Sequence, residues 1–266
     1  MSTARSTIRQ TIGRLLGTGI NRAIYVGTPD GTYATTTFGC AALALEENDF
    51  FIDWFGRFYA GTHKDIDFEV TDSAKTNGVI TFTPTLGAVT DATDLFELHR
   101  FDGPSPAELN TLINMAIQQV ETWALEDKVD DTKETVASTY VYDLPTGFYT
   151  IEEIYFEEST ADLYKAGSLQ DPKGWKILRA ATERLWLDQN IITITATRNI
   201  RIVGQSKPAA LSTDAGTTNV DPAYIVQQVL AWIYQAQGND KMFAIAQAIA
   251  DRERKKIYVR PRGQLV

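Results

Sequence analysis

His63 and His99 are the only histidines in this 266-residue chain, and Cys40 is its only cysteine. Lone histidines without a second histidine at metal-ligand spacing read as ordinary side chains before they read as ligands. One cysteine forbids an intrachain disulfide and a cysteine-based metal cage, and it fits synthesis in a reducing compartment. Asp65 and Asp67 sit at alternate positions of an apparent strand, which would put two carboxylates on one face, as acid–base chemistry needs. Glu152 and Glu153 form a second acidic pair. With 34 acidic residues such pairs arise by chance, and solvated faces are the plainer reading. Asp91, Thr93 and Asp94 offer oxygen ligands, but the dense ligand loop of a calcium hand is missing. Gly13, Gly17 and Gly19 match neither phosphate-binding glycine fingerprint, and no serine-nucleophile elbow occurs. The cluster Phe50, Phe51, Trp54, Phe55, Phe58 and Tyr59 could stack on a sugar or a base. Core packing plus an inter-subunit contact, with Phe50, Trp54, Phe55 and Phe58 as interface aromatics, is the reading favoured by how aromatics are used.

Four helical patterns must position these residues. They cover 4–16, 105–125, 222–237 and 240–257. The first has a stripe of Thr7, Ile8, Ile12, Leu15 and Leu16. The second opens on Ser105-Pro-Ala-Glu, a capping box with proline at the first helical position. It continues through Leu109, Leu112, Ile113, Ala116, Ile117, Val120 and Trp123 at helical spacing. Asp221-Pro opens the third, and Gly238-Asn-Asp turns it into the fourth as an antiparallel hairpin. Between the helices, residues 23–101 and 137–206 alternate β-branched and aromatic residues with turn signals. The charged run 126–134 reads as a loop. Ile191–Ala196 and Ile200–Gly204 read as a hairpin around Thr197-Arg-Asn.

The net charge of −9 is uneven. Residues 1–22 and 251–266 each carry +4, and the body between them carries −17. An acidic body repels nucleic acid over most of its surface, whereas basic ends can meet DNA or an acidic partner, or offset a helix dipole. No run approaches the ~18 apolar residues of a membrane span, and the first ten residues do not read as a secretory signal.

These readings give an α+β fold with a four-helix bundle core and two β-rich insertions, each a small barrel or sandwich. The expected division is an N-terminal bundle helix (1–22), a β-barrel-like insertion (23–101), and a long helix with its loop (102–136). A second β module (137–210), a helical hairpin (211–256) and an extended tail (257–266) complete it.

The order of three pieces resembles a head–tail adaptor, or connector, of a tailed bacteriophage. The first is Ala92-Thr-Asp-Leu-Phe-Glu-Leu-His leading into Ser105-Pro-Ala-Glu-Leu. The second is Tyr142-Asp-Leu-Pro-Thr-Gly-Phe with Thr150-Ile-Glu-Glu-Ile-Tyr-Phe and Ile200-Arg-Ile-Val-Gly. The third is the helical pair from Tyr224 through Arg254. The resemblance implies a structural virion protein without catalytic, cofactor-binding or metal-binding residues, made in the host cytoplasm and built into the neck. It implies a ring of about twelve copies beneath the portal, contact with tail or tail-completion proteins, and genomic DNA passing through the lumen without sequence-specific binding or membrane contact. It also implies docking of the tail on the portal through Tyr258, Arg260, Arg262, Leu265 and Val266. Other readings are a tail-completion protein or a further neck component, a carbohydrate-binding or ligand-binding virion module, and a cell-wall hydrolase using paired carboxylates.

Overall fold

A computed structural model describes residues 2–17, 24–100, 102–158, 163–179, 182–257 and 264–265. The chain folds as two compact units: Met1–Val120 with Ala209–Ile257, and Glu121–Pro208 with Tyr258–Val266.

In the first unit, β1 (Thr3–Ala4) runs into α1 (Arg5–Leu16). Then follow β2 (Ile24–Gly27), β3 (Thr37–Gly39), β4 (Phe55–Ala60), β5 (Ile66–Ala74), β6 (Val79–Thr83) and β7 (Leu95–His99). These six form one antiparallel sheet in the order β2-β7-β4-β5-β6-β3. Alternation sets its faces: on β5, Phe68 and Val70 are buried while Asp67 and Glu69 are exposed. Phe38 stands on the edge strand β3, four strands away from β7 in that order, yet its ring lies 4.4 Å from that of Phe96 on β7. In a flat sheet those strands would be about 19 Å apart. The sheet therefore curls into a half-barrel around Phe38, Phe58, Phe68, Phe82 and Phe96. Gly56 on β4 permits the curl, because a Cβ there would lie 2.0 Å from the Phe68 ring.

The half-barrel leads into α2 (Pro106–Gln119). Its capping box forms as the residues dictate: Ser105 Oγ accepts from Glu108 N, and the Glu108 carboxylate accepts from Ser105 N at 2.8 Å. The helix ends at Gln119 with Val120 as its C-cap, short of the expected end near 125, and a turn carries the chain to the strand that begins at Glu126. The chain later returns to this unit through β14 (Thr217–Thr218), which pairs with β1, and then α3 (Pro222–Ala236) and α4 (Asp240–Ile257).

The second unit holds β8 (Glu126–Glu134), β9 (Val141–Asp143), β10 (Thr150–Phe156), β11 (Trp175–Leu178), β12 (Arg184–Leu187), β13 (Asn199–Ser206) and β15 (Gln264–Leu265). Two antiparallel sheets result, β15-β10-β13-β8 and β11-β12-β9. They share a core of Ile151, Ile154, Ile200 and Ile202 with Trp175, Leu185 and Leu187.

Three expectations change here. Among the described residues the protein is β-rich, with four α-helices and several antiparallel sheets, and its core is not a four-helix bundle. α1, α2 and α3 pack on one another, but α4 packs chiefly on α3 and buries only Ala246, Ala250 and Glu253. A helical stripe shows that one face is covered, and it does not say whether a helix or a sheet covers it. The charged run 126–134 is a nine-residue edge strand, not a loop. Its alternation is inverted, with Val129 57% exposed and Lys128 and Asp130 half-buried, so the hydropathy signal vanishes. Charge along an edge strand discourages pairing with other chains. Residues 191–198 form no strand, and β13 pairs with β10 and β8 instead of closing a hairpin.

Because Phe38 is fully buried and its ring meets four others, Phe38→Ala should destabilise the first unit by about 3–5 kcal/mol. A loss under 1 kcal/mol in urea unfolding would show that the curl does not depend on this ring.

Candidate functional site

α1 carries Arg5, Ile8, Arg9 and Ile12 on one face, at the i, i+3, i+4, i+7 spacing of an inward stripe. Two arginines thus enter the core, 4% and 0% exposed. They meet Arg57 from β4, and all three converge on Asp214 in the segment that returns from the second unit. Arg5 Nε donates to Asp214 Oδ1 at 3.1 Å, Arg9 Nη1 to the same oxygen at 2.6 Å, and Arg57 Nε to Oδ2 at 2.6 Å. Arg9 also donates to Glu97 on β7 and, at 2.6 Å, to Asn110 Oδ1 on α2. Arg57 donates to Asp67 Oδ1 at 2.8 Å and Asp65 Oδ1 at 3.0 Å. Arg5 Nη1 donates to the Leu211 carbonyl at 2.6 Å, and Asn114 holds the Leu211 amide at 2.8 Å.

Burial opposes ionisation of Asp214, but hydrogen bonds and charge from Arg9 and Arg57 outweigh it and hold the carboxyl below its usual range. Glu97 behaves alike: burial pushes it up, and the His99 hydrogen bond with the Arg9 charge pulls it down further. His99 Nε2 donates to Glu97 Oε1 at 3.0 Å. Burial alone would weaken the positive charge of Arg9 and Arg57, and the carboxylates raise both above the usual arginine value. Burial is the largest influence on Arg5 and leaves it lowered. Every carboxylate of the cluster is engaged with a guanidinium. The arrangement is a clamp that fastens the returning segment to the sheet and helices.

The residues marked for chemistry are dispersed into such structural contacts. Asp65 and Asp67 do not stand together on a strand: Asp65 occupies the turn before β5, at φ 67°, and both carboxylates bind Arg57. His63 is buried with Nδ1 2.8 Å from Asp94 Oδ2. Asp94 also accepts from the amides of His63 at 3.0 Å and Asp91 at 3.2 Å, and Asp91 accepts from Thr93 N at 2.7 Å. Among the described residues no group of three acidic, histidine or cysteine side chains is placed to hold a metal. Trp54 and Phe58 are 2% and 0% exposed and belong to the half-barrel core, which leaves Phe50 and the half-buried Phe55 at the surface. Of the C-terminal tail, Tyr258, Arg260, Arg262 and Val266 lie outside the described residues, while Leu265 in β15 pairs with Thr150 on β10.

The cluster escaped sequence reasoning because Arg5 and Arg9 read as part of a basic end. Their register with Ile8 and Ile12 was the available signal.

The family described as SU10 adaptor protein matches residues 83–264, from the end of the half-barrel through both later helices to β15. The chain belongs to the SU10 adaptor protein family. No curated protein matches it. It is a phage adaptor, a structural component of the virion that works through contact with other head and tail proteins. Among its described residues no helix is long and apolar enough to cross a membrane. The match leaves out residues 1–82, which supply α1 and most of the half-barrel.

Two outcomes test the clamp. Asp214→Ala leaves three buried or nearly buried arginines short of a partner and should cost about 3–5 kcal/mol in urea unfolding. The depressed carboxyls of Asp214 and Glu97 add stability above the unfolded-state values of about 4, and that stability is lost as pH falls through the folded-state values. The stability difference between wild type and Asp214→Asn should therefore shrink on acidification from pH 7 to about pH 3. A difference independent of pH would refute the ionic clamp.

Proposed function

We propose that this adaptor forms a ring between the portal and the tail, continues the DNA channel and presents the surface to which tail proteins attach. Its role in the virion is structural, not catalytic. Membership of the SU10 adaptor protein family is the observation that carries this reading. The charge pattern supports it. A body of −17 keeps DNA phosphates off the walls of a channel, and the +4 C-terminal segment matches an acidic docking surface.

Docking on the portal runs through the last residues: Tyr258, Arg260 and Arg262 against polar and acidic surface, Leu265 and Val266 in apolar pockets. In the free chain Gln264 and Leu265 extend the edge of β10, so docking would exchange a two-residue edge pairing for contacts on the partner. The ring has about twelve members, in keeping with closed symmetry.

Mass photometry of the purified chain, alone and with isolated phage heads, tests the ring. Large closed species in either condition are expected; a monomer indifferent to heads refutes the reading. A chain ending at Ile257 keeps α4 whole and should lose binding to heads, with a circular-dichroism melt within a few degrees of wild type. Undiminished binding would remove the tail from the docking role.

A further inference from the structure

α4 has two stripes. The covered one, Ala246, Ala250 and Glu253, lies on α3. The other, Met242, Ile245, Ile249, Arg252 and Lys256, repeats at three and four residues, the spacing of a helix–helix seam. It is largely open to solvent: Met242 is 37% and Ile245 47% exposed, while Arg252 and Lys256 are exposed and Ile249 is half-buried. Elsewhere on the same unit, a groove of about 510 Å³ opens between α2 and α3. Its walls are Pro104, Leu112, Trp232, Ile233 and Ala236, and Asp102 and Glu108 stand at its rim.

The two patches complement each other. The apolar half of the stripe, from Met242 to Ile249, is about 10 Å long at 1.5 Å per residue. The groove has an aromatic anchor in half-buried Trp232. The basic half of the stripe carries Arg252, Lys255 and Lys256, and buried Glu253 pairs with Arg252 and Lys256 and offsets only one positive charge. The rim carries Glu108, whose carboxylate caps α2, and Asp102, which is paired at 3.1 Å with Arg100 but has a half-exposed side chain.

They also face different ways. Tyr224 on α3 bonds Gln119 of α2 at 2.9 Å and lies near enough to Asp251 and Arg254 to feel their charge. Asp251 and Arg254 thus mark the flank of α4 turned toward α2. At 100° per residue, Met242, Ile245 and Ile249 fall on the opposite flank. A contact between two distinct patches is head-to-tail and generates rings when the rotation closes.

We propose that the Met242–Ile245–Ile249 stripe of one copy seats in the groove around Trp232 of the next, with Arg252 and Lys256 against its acidic rim. The inference rests on the ring reading and assigns its interface.

Two experiments on the full chain decide it. Buried Cys40 is the only native cysteine, so introduced thiols report alone. The double variant Ile245→Cys, Ala236→Cys, oxidised alone and on isolated heads, should give covalent ladders beyond the dimer, whereas each single variant should stop at the dimer. Ile245→Asp, exposed and so expected to fold, should raise the assembly midpoint at least about thirtyfold, the size of a binding hot spot. Its thermal melt serves as the folding check, and Met242→Asp is the second variant if that melt fails. Assembly of wild type into large species, with no ladder and unchanged midpoints in the aspartate variants, overturns this interface and leaves the ring reading standing. A wild-type chain that stays monomeric alone and with heads overturns both.

Discussion

One carboxylate, that of Asp214, accepts hydrogen bonds from three guanidiniums brought in by α1 and β4. It lies on the stretch where the chain re-enters the first unit after building the second. Without it, Arg5, Arg9 and Arg57 would stand in a desolvated core with positive charge only partly matched. Burying charge is expensive, and arginine, with its fixed fork of donors, is the cation most easily satisfied there. Even so, Arg9 Nη2 and Glu97 Oε2 are buried without hydrogen-bond partners, so the cluster is not the most stable filling for that space. What it supplies is position: all three arginines meet Asp214, and Leu211 is held beside it by Arg5 and Asn114.

This constraint fits a protein whose work is contact. An adaptor must hold its surfaces in fixed relation while neighbours pull on them, and the first unit does so by tying a half-barrel, three mutually packed helices and a returning segment through one buried cluster. The half-barrel contributes a stiff aromatic core in which ring edges meet ring faces. In the second unit two small sheets close over aliphatic side chains and Trp175. Charge that is paired inside cannot serve outside, so the basic N-terminal end presents less positive surface than its arginine count implies.

Legibility followed the range of the interactions. The limits of α3 and α4 were readable to within a residue, and the start of α2 as well, because caps, prolines and stripes act over one or two turns. β8 was missed because a charged edge strand has no apolar alternation; its strand character comes from pairing with β13, some 70 residues later. The stretch 191–196 has β-branched residues in the right pattern, yet Ile192 is buried in the second unit's core without any strand forming. Trp54 and Phe58 were expected at an interface beside Phe50 and Phe55, and only their burial in the half-barrel core sets them apart from exposed Phe50.

By itself the amino-acid sequence determined the helices, the β-rich stretches between them, the acidic body and the order of pieces that resembles an adaptor. These follow from residues close together in the chain or from simple counts. Tertiary structure alone decided that the sheets, and not a helical bundle, carry most of the core, and that Asp65 and Asp67 serve Arg57 instead of each other. It also decided that Arg5 and Asp214, more than 200 positions apart, share a hydrogen bond. Each of those outcomes depends on which distant groups compete for the same buried space, and no local pattern records that competition.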